Sequence, residues 1–368
     1  MKSQIFLDAP NVGKLEKQYL YKAITAGFVS TAGPFVGEFE EKFARYISAK
    51  KAVSTQSGTA ALHVSLYELG IGRGDEVIVP AITFIATVNP IIQLGARPVF
   101  ADIDSKTWNI DPKEIEKLIT KKTKAIVPVH LYGNPCDMGS ILKLAKKHKL
   151  KVIEDATESL GAAYCGKLTG TFGDLGCYSF NGNKIMTTGG GGMIVGRDAG
   201  TLAHLKFLVN QARDESKGYF HPEVGFNYRM TNIEASLGLA QISRLNGFLK
   251  LKRDFNKIYR NDLSGISKIS FQECYKDAVS SYWLTCMSFE NSIDISKLQE
   301  ALKERGIPTR RLFMPIPWFP PYKNAKRGTI KTAEHIYNHS LCFPGSTKNS
   351  LSDIKYICKT LKTILKSL

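Results

Sequence analysis

The 368-residue chain is 43% hydrophobic and 23% charged, with 31 Gly and 15 Pro, a composition of soluble globular proteins that excludes a collagenous, low-complexity or disordered chain. At roughly 150 residues per domain, its length predicts two domains. Its 50 Lys+Arg against 33 Asp+Glu give +17, which leaves nucleic acid, an anionic membrane surface or small phosphorylated ligands open as partners.

Met1 to Lys17 carries Asp8, Lys14, Glu16 and Lys17 where an export signal needs an apolar core, and no run of about 18 apolar residues occurs. A cytoplasmic protein with no membrane span is expected. The 7 cysteines are odd in number, widely spaced and without a Cys-x-x-Cys pair, which predicts reduced thiols and no metal site.

Apolar residues at helical spacing predict helices over Gly37–Ala49 and Gly58–Gly70. Short apolar runs bounded by turn residues predict strands at Glu76–Pro80 (EVIVP), Pro98–Ala101, Ala125–Val129 (AIVPV) and Val152–Asp155 (VIED). Strands this hydrophobic, separated by helix-length segments, predict an α/β fold whose mostly parallel sheet is covered on both faces. The lysines of Lys143–Lys151 and Lys355–Lys366 recur among apolar residues at helical spacing and read as solvated helix faces. Tyr356 is the only aromatic residue in either stretch, so a single-strand-binding surface is poorly supported.

After Gly225, Thr231–Arg260 reads as one long helix uninterrupted by Pro. The domain boundary is expected on it, with a large domain over 1–245 and a smaller C-terminal α+β domain over 246–368. In the latter, a strand is predicted at Tyr282–Met287, a helix at Ile295–Arg305 and a Pro-rich loop at Pro315–Pro321.

Parallel α/β sheets place ligands at the carboxyl ends of their strands, and three such places stand out. Ser57-Gly58-Thr59-Ala60 opens a helix after the strand-like Ala52-Val53-Ser54 and offers free N–H groups to a phosphate, although an ordinary helix cap reads the same way. Asp155 ends a strand and suits a protonated ring nitrogen, or equally a solvated strand end. Lys184 is the only charge from Leu175 to Val195, among Gly and small polar residues. Most lysines are surface lysines, but a desolvated one becomes a nucleophile toward a carbonyl. The Gly189–Gly192 run that follows reads simply as a tight turn allowing close backbone approach. A phosphate cradle, a carboxylate for a pyridinium nitrogen and a Schiff-base lysine, in this order, are what pyridoxal 5'-phosphate (PLP) requires.

With GPFVGEFEE at Gly33–Glu41, SGTAALH at Ser57–His63, Val79-Pro80 through Thr83-Phe84, PVFAD at Pro98–Asp102, VHLYG at Val129–Gly133, IEDA at Ile153–Ala156, Gly173-Asp174 through Ser179-Phe180, Lys184, and GFNYRMTN at Gly225–Asn232, nearly the whole chain resembles the DegT/DnrJ/StrS sugar-nucleotide aminotransferases. The resemblance implies a fold-type I PLP-transferase. It implies that Lys184 bonds to the cofactor and then moves a proton between substrate carbons, and that Asp155 pairs with the pyridinium nitrogen. Gly58, Thr59 and Ser179 would bind the phosphate and Phe84 would cover the ring. Glu158 falls where the family usually has His or Gln beside the cofactor 3-hydroxyl. Asn227 matches a residue reaching the neighbouring subunit's cofactor, which implies a homodimer with shared active sites. Relatives with His in place of the lysine are dehydratases, and Lys184 argues against that activity.

The implied reaction is transamination from L-glutamate to a nucleotide-linked keto sugar, without nucleic-acid or membrane partners. The wording of Glu154–Gly161 (EDATESLG) and Phe180–Thr188 (FNGNKIMTT) resembles most the subgroup acting on UDP-linked 4-keto-6-deoxy-2-acetamido hexoses, on the way to bacillosamine or legionaminic acid of surface glycans. GDP-linked 4-keto-6-deoxymannose, leading to perosamine, is the nearest alternative. Candidate sugar-nucleotide residues are Ser30 and Thr31 in the Gly27–Thr31 loop, His130, Tyr132, Arg229, and Tyr322 in the Pro315–Tyr322 loop, which also reads as a rigid aromatic-proline surface loop. A reading of another class is a non-catalytic PLP-binding regulator or a nucleic-acid binder exploiting the charge. Against it, no helix-turn-helix, zinc or aromatic RNA motif occurs.

Overall fold

A computed structural model describes residues 4–367, so Met1–Ser3 and Leu368, at the outer ends of the two expected domains and of the N-terminal segment weighed for export, lie outside the described residues. At its centre is a seven-stranded sheet formed by β1 (Ala52–Thr55), β2 (Glu76–Pro80), β3 (Arg97–Ala101), β4 (Thr123–Ile126), β5 (Lys151–Asp155), β6 (Leu175–Ser179) and β7 (Gly192–Gly196). Their spatial order is β1-β7-β6-β5-β4-β2-β3. All neighbours run parallel except β7, which is antiparallel to both β1 and β6. The Glu76–Pro80 strand has every residue buried and pairs in parallel on both sides, which is why Val77-Ile78-Val79 is a continuous apolar run rather than an alternating one.

β7 was not expected, because its glycines read as a turn. Gly192 nonetheless suits a strand packed edge-on to the Gln56–Gly58 turn: a Cβ there would stand 2.5 Å from the Ser57 carbonyl oxygen. Only glycine lets the two backbones approach so closely.

The long helix runs Asn232–Leu263, started by a capping box in which Thr231 and Glu234 bond each other's backbone N–H groups. Its first half packs Ala235, Leu239, Ile242, Leu245 and Phe248 into the main core, and its second half packs Phe255, Tyr259 and Leu263 into a separate core. The second core is faced by a four-stranded sheet of β8 (Ile269–Phe271), β9 (Thr285–Phe289), β10 (Arg310–Arg311) and β11 (Ser340–Phe343), in the order β8-β9-β11-β10. Chain from this region also returns to the main core, where Trp283, Leu312, Ile316 and Tyr322 pack. No helix among the described residues is long and apolar enough to cross a membrane.

One buried cation ties these parts together. Lys252, within the long helix, donates from Nζ to the Trp283 carbonyl at 3.0 Å and the Gly345 carbonyl at 2.7 Å. Gly345 in turn holds the Leu7 carbonyl through its own N–H, which lays the N-terminal strand of chain, including Asp8, along the site described below. Burial pushes the Lys252 ammonium from 10.5 down to about 7, opposed by the Asp8 carboxylate. Between these values the folded chain binds fewer protons than the unfolded chain, so this group makes stability rise with pH across that window. Below pH 7 its cost is fully present. Lys252→Met is expected to remove roughly 2 kcal/mol of the stability gained between pH 7 and pH 9, read from urea unfolding midpoints at the two pH values.

Candidate active site

A cavity of about 260 Å³ opens at the carboxyl ends of the central strands and is walled on the other side by Trp283, Arg310 and Phe313 from the C-terminal part of the chain. Asp155, the last residue of β5, is buried there. Its Oδ2 accepts from the Thr87 hydroxyl at 2.7 Å and its Oδ1 from the Thr157 N–H at 3.1 Å, and Thr87 is itself bonded to Thr83. Two donors thus fix the carboxylate without a cation, and the acid stays turned into the cavity.

The Gly58–Glu68 helix begins at the cavity, capped by Ser57, whose hydroxyl accepts from the Ala60 N–H. The first-turn N–H groups of Gly58 and Thr59 have no acceptor within the helix. A Cβ at residue 58 would stand 2.8 Å from the Ser179 Cβ and 3.2 Å from the Thr157 methyl, so glycine is what lets this helix end come down beside Ser179. The Thr59 and Ser179 hydroxyls line the same cavity. Aligned N–H groups, the positive end of a helix dipole and two hydroxyls make a phosphate cradle.

Lys184 follows β6 in a loop whose backbone N–H bonds the Asn181 carbonyl. Its Nζ lies 4.0 Å from Glu158 Oε1 and 4.3 Å from the centroid of the Trp283 ring. Burial lowers the Lys184 ammonium below its ordinary value, the charges of Glu158 and Asp155 oppose that shift, and Arg310 adds to it. Burial pushes the Glu158 carboxyl up to about 7, against the pull of Lys184 and of the Tyr132 N–H, which donates to Oε2 at 2.8 Å. Amine and acid therefore sit side by side with their proton affinities brought together, which suits proton movement at neutral pH.

The cavity brings together Gly58, Thr59, Phe84, Asp155, Glu158, Ser179 and Lys184. Phe84 is 51% exposed at its rim, with its ring 5.7 Å from that of Phe313. The expected substrate residues are placed differently. His130 is fully buried between Glu154, at 3.0 Å from Nε2, and the Cys136 N–H, which donates to Nδ1. It braces the chain behind the site and cannot touch a substrate. Tyr132 is buried too, stacked between Trp283 and Phe313, with its hydroxyl accepting from the Phe313 N–H. It supports the wall from behind. Tyr322 is buried, with its hydroxyl bonded to Asn89. Trp318 is the aromatic residue of that loop left exposed. Ser30 and Asn227 are exposed, Thr31 and Arg229 are half-buried, and none of the four lines this chain's cavity.

Residues that the sequence reading missed include Thr87, Trp283, Arg310, Phe313 and Asp8. Trp283 donates from its indole N–H to the Asn183 carbonyl, and Asp8 accepts from Asn183 and Arg310. Thr87 stands four residues past the Thr83-Phe84 motif, a spacing that could have flagged it. The others lie far from Lys184 in sequence and carry no local signal.

The DegT/DnrJ/EryC1/StrS aminotransferase family model matches residues 10–362. A GDP-perosamine synthase of Caulobacter vibrioides is 38% identical over 98% of this chain and 98% of its own. A UDP-2-acetamido-2-deoxy-3-oxo-D-glucuronate aminotransferase of Pseudomonas aeruginosa is 32% identical over 89% of this chain and 90% of its own. Among solved structures, an aminotransferase from Streptoalloteichus hindustanus superposes with a TM-score of 0.94 at 27% identity, covering 99% of each chain.

Proposed function

The chain belongs to the DegT/DnrJ/EryC1/StrS aminotransferase family and is a PLP-dependent sugar-nucleotide aminotransferase, and from that premise we propose that it transfers the amino group of L-glutamate to the C4 carbonyl of GDP-linked 4-keto-6-deoxymannose. The observation that carries the aminotransfer is the convergence of the Lys184 amine, the Asp155 carboxylate and the Gly58 helix end on one cavity. The perosamine relative covers this chain more fully and at higher identity than the UDP-sugar relative, which supports the GDP-linked substrate over the UDP-linked acetamido sugar first expected. The lysine, carboxylate and helix end that meet in one cavity support an enzyme over the non-catalytic regulator and the nucleic-acid binder.

When bound, PLP supplies the electron sink that makes a carbon beside its nitrogen acidic. The chain supplies the rest. The helix N-terminus with the Thr59 and Ser179 hydroxyls would hold the phosphate, and Phe84 at the rim would shield the cofactor from water. Asp155, fixed by Thr87 and Thr157, would hold the ring N–H and keep it protonated. The Lys184 Nζ takes the proton from the donor α-carbon and, in the second half-reaction, delivers one to the sugar C4. Glu158, partly protonated at neutral pH, donates a hydrogen bond into the cavity next to that amine.

A second copy of the chain completes the site. Phe28, Val29, Tyr219, Phe220 and Val224 are large apolar residues left 45%, 49%, 84%, 48% and 71% exposed. They flank in sequence the four residues, Ser30, Thr31, Asn227 and Arg229, that stay outside this chain's own cavity. Buried against a partner, these surfaces would carry Asn227 and Arg229 to its phosphate and sugar nucleotide.

The test supplies L-glutamate with either the GDP-linked or the UDP-linked keto sugar and follows 2-oxoglutarate and the amino sugar formed. The GDP-linked substrate is expected to show a kcat/KM at least about 100-fold higher. Preference for the UDP-linked sugar would return the assignment to the bacillosamine-type reaction.

A further inference from the structure

Two cysteines far apart in the sequence face each other inside the C-terminal sheet. Cys286 of β9 is the register partner of Cys342 of β11, and their sulfurs lie 3.4 Å apart as free thiols. The pairing is of the closer kind. In an antiparallel strand the N–H and C=O of one residue point to the same neighbour, and the Cys286 carbonyl accepts from the Gln272 N–H, just past β8. Cys286 therefore turns its backbone groups away from β11. A non-hydrogen-bonded pair of this sort brings the opposed Cα atoms to about 4.5 Å, within the roughly 4.4–6.8 Å that a disulfide spans. Both side chains pack in the main core, with Tyr132 and Trp283, whereas the adjacent Met287 and Leu341 pack in the second core. On its other side Cys342 is paired with Arg310 of β10, the two-residue strand at the edge of the sheet.

We propose that Cys286 and Cys342 form a reversible redox site, closed into a disulfide by a hydroperoxide and stapling the sheet that carries one wall of the cavity. One thiol gives up its proton and attacks a peroxide oxygen; the O–O bond breaks, the sulfur becomes a sulfenic acid, and the departing hydroxide takes the proton as water. The second thiol attacks that sulfur, the S–S bond forms, the S–O bond breaks, and a second water leaves. Two electrons pass from the sulfurs to one peroxide, and a dithiol reductant reverses the change. Burial pushes the Cys286 thiol well above its ordinary value and Cys342 adds to that shift, while Arg310 opposes it. The closed fold therefore keeps the pair quiet, and reaction begins when the short edge strand β10, held by β11 alone, opens. The bond would join positions 56 residues apart, which removes freedom from the unfolded chain and stabilises the folded one.

The test treats wild-type holoenzyme and the Cys286→Ala variant with hydrogen peroxide, maps their peptides without reduction, and follows thermal unfolding with and without dithiothreitol. The wild type is expected to yield two peptides joined through Cys286 and Cys342, about 2 Da lighter than the sum of the separate thiol peptides. It should also unfold at least about 4 °C above its reduced form. Dithiothreitol should abolish both differences, and Cys286→Ala should show neither. Cys342→Ala replaces that variant if it fails to fold, and the wild-type peptide map needs no variant at all. Oxidation confined to Cys165, the exposed thiol, would overturn the proposal, as would sulfinic acid on Cys286 or Cys342 without the link. A link that dithiothreitol cannot reverse, or one that leaves the unfolding temperature unchanged or lower, would overturn the reversible staple.

Discussion

Lys184→Ala is expected to lower transamination by more than about 10³-fold while leaving the chain folded. The proposed role gives this amine the proton transfer to and from the reacting carbon, and no other lysine lines that space. Its packing is slight, since Nζ meets the Trp283 ring and approaches Glu158, so its loss removes chemistry rather than core. With the cation gone, Glu158 loses the neighbour that favours its ionised form and stays protonated to higher pH. The acid therefore cannot stand in as the base. Far-UV circular dichroism should match wild type, and 2-oxoglutarate release from L-glutamate should fall below detection. Turnover within tenfold of wild type would place the proton transfer on another residue.

Asp155→Asn is expected to cost about 10²–10³-fold in the same assay. The replacement has the shape of the carboxylate, and one acceptor oxygen remains for Thr87 or for the Thr157 N–H. What disappears is the negative charge at the strand end. On the proposed role, the ring nitrogen of a bound cofactor would then lose the partner that keeps it protonated, and the electron sink would weaken. The loss should appear in both half-reactions, because both pass their charge to the same nitrogen. A variant within threefold of wild type would mean that another group holds the ring nitrogen.

The fold was legible where a strand or helix is made by its own sequence. Val77-Ile78-Val79 is an unbroken apolar run because its strand is buried on both faces, and the residues of the long helix recur at its period, so both elements were read to within a few residues of their observed bounds. β7 was not legible, since its Gly192 is required by the Ser57 turn packed against it and no local pattern records that contact. The candidate site divides the same way. Gly58, Asp155, Glu158, Ser179 and Lys184 lie on or shortly after strand ends and helix starts, and they meet in one cavity as position in the sheet led one to expect. Trp283, Arg310 and Asp8 reach the cavity only because the C-terminal sheet and the N-terminal strap close over it. His130 and Tyr132 show the opposite failure. They sit in a motif at the carboxyl side of β4, but their side chains turn inward to Glu154 and between two aromatic rings.

The most direct measurement is the visible absorbance of the purified protein with PLP, before and after L-glutamate, with Lys184→Ala alongside. The wild-type protein should show a visible band of lysine-bound cofactor that collapses on adding L-glutamate and returns when the GDP-linked keto sugar is added, and the variant should show no such band. A wild-type protein without the band, or with one indifferent to L-glutamate, would contradict the assignment of this cavity as the centre of amino transfer from glutamate.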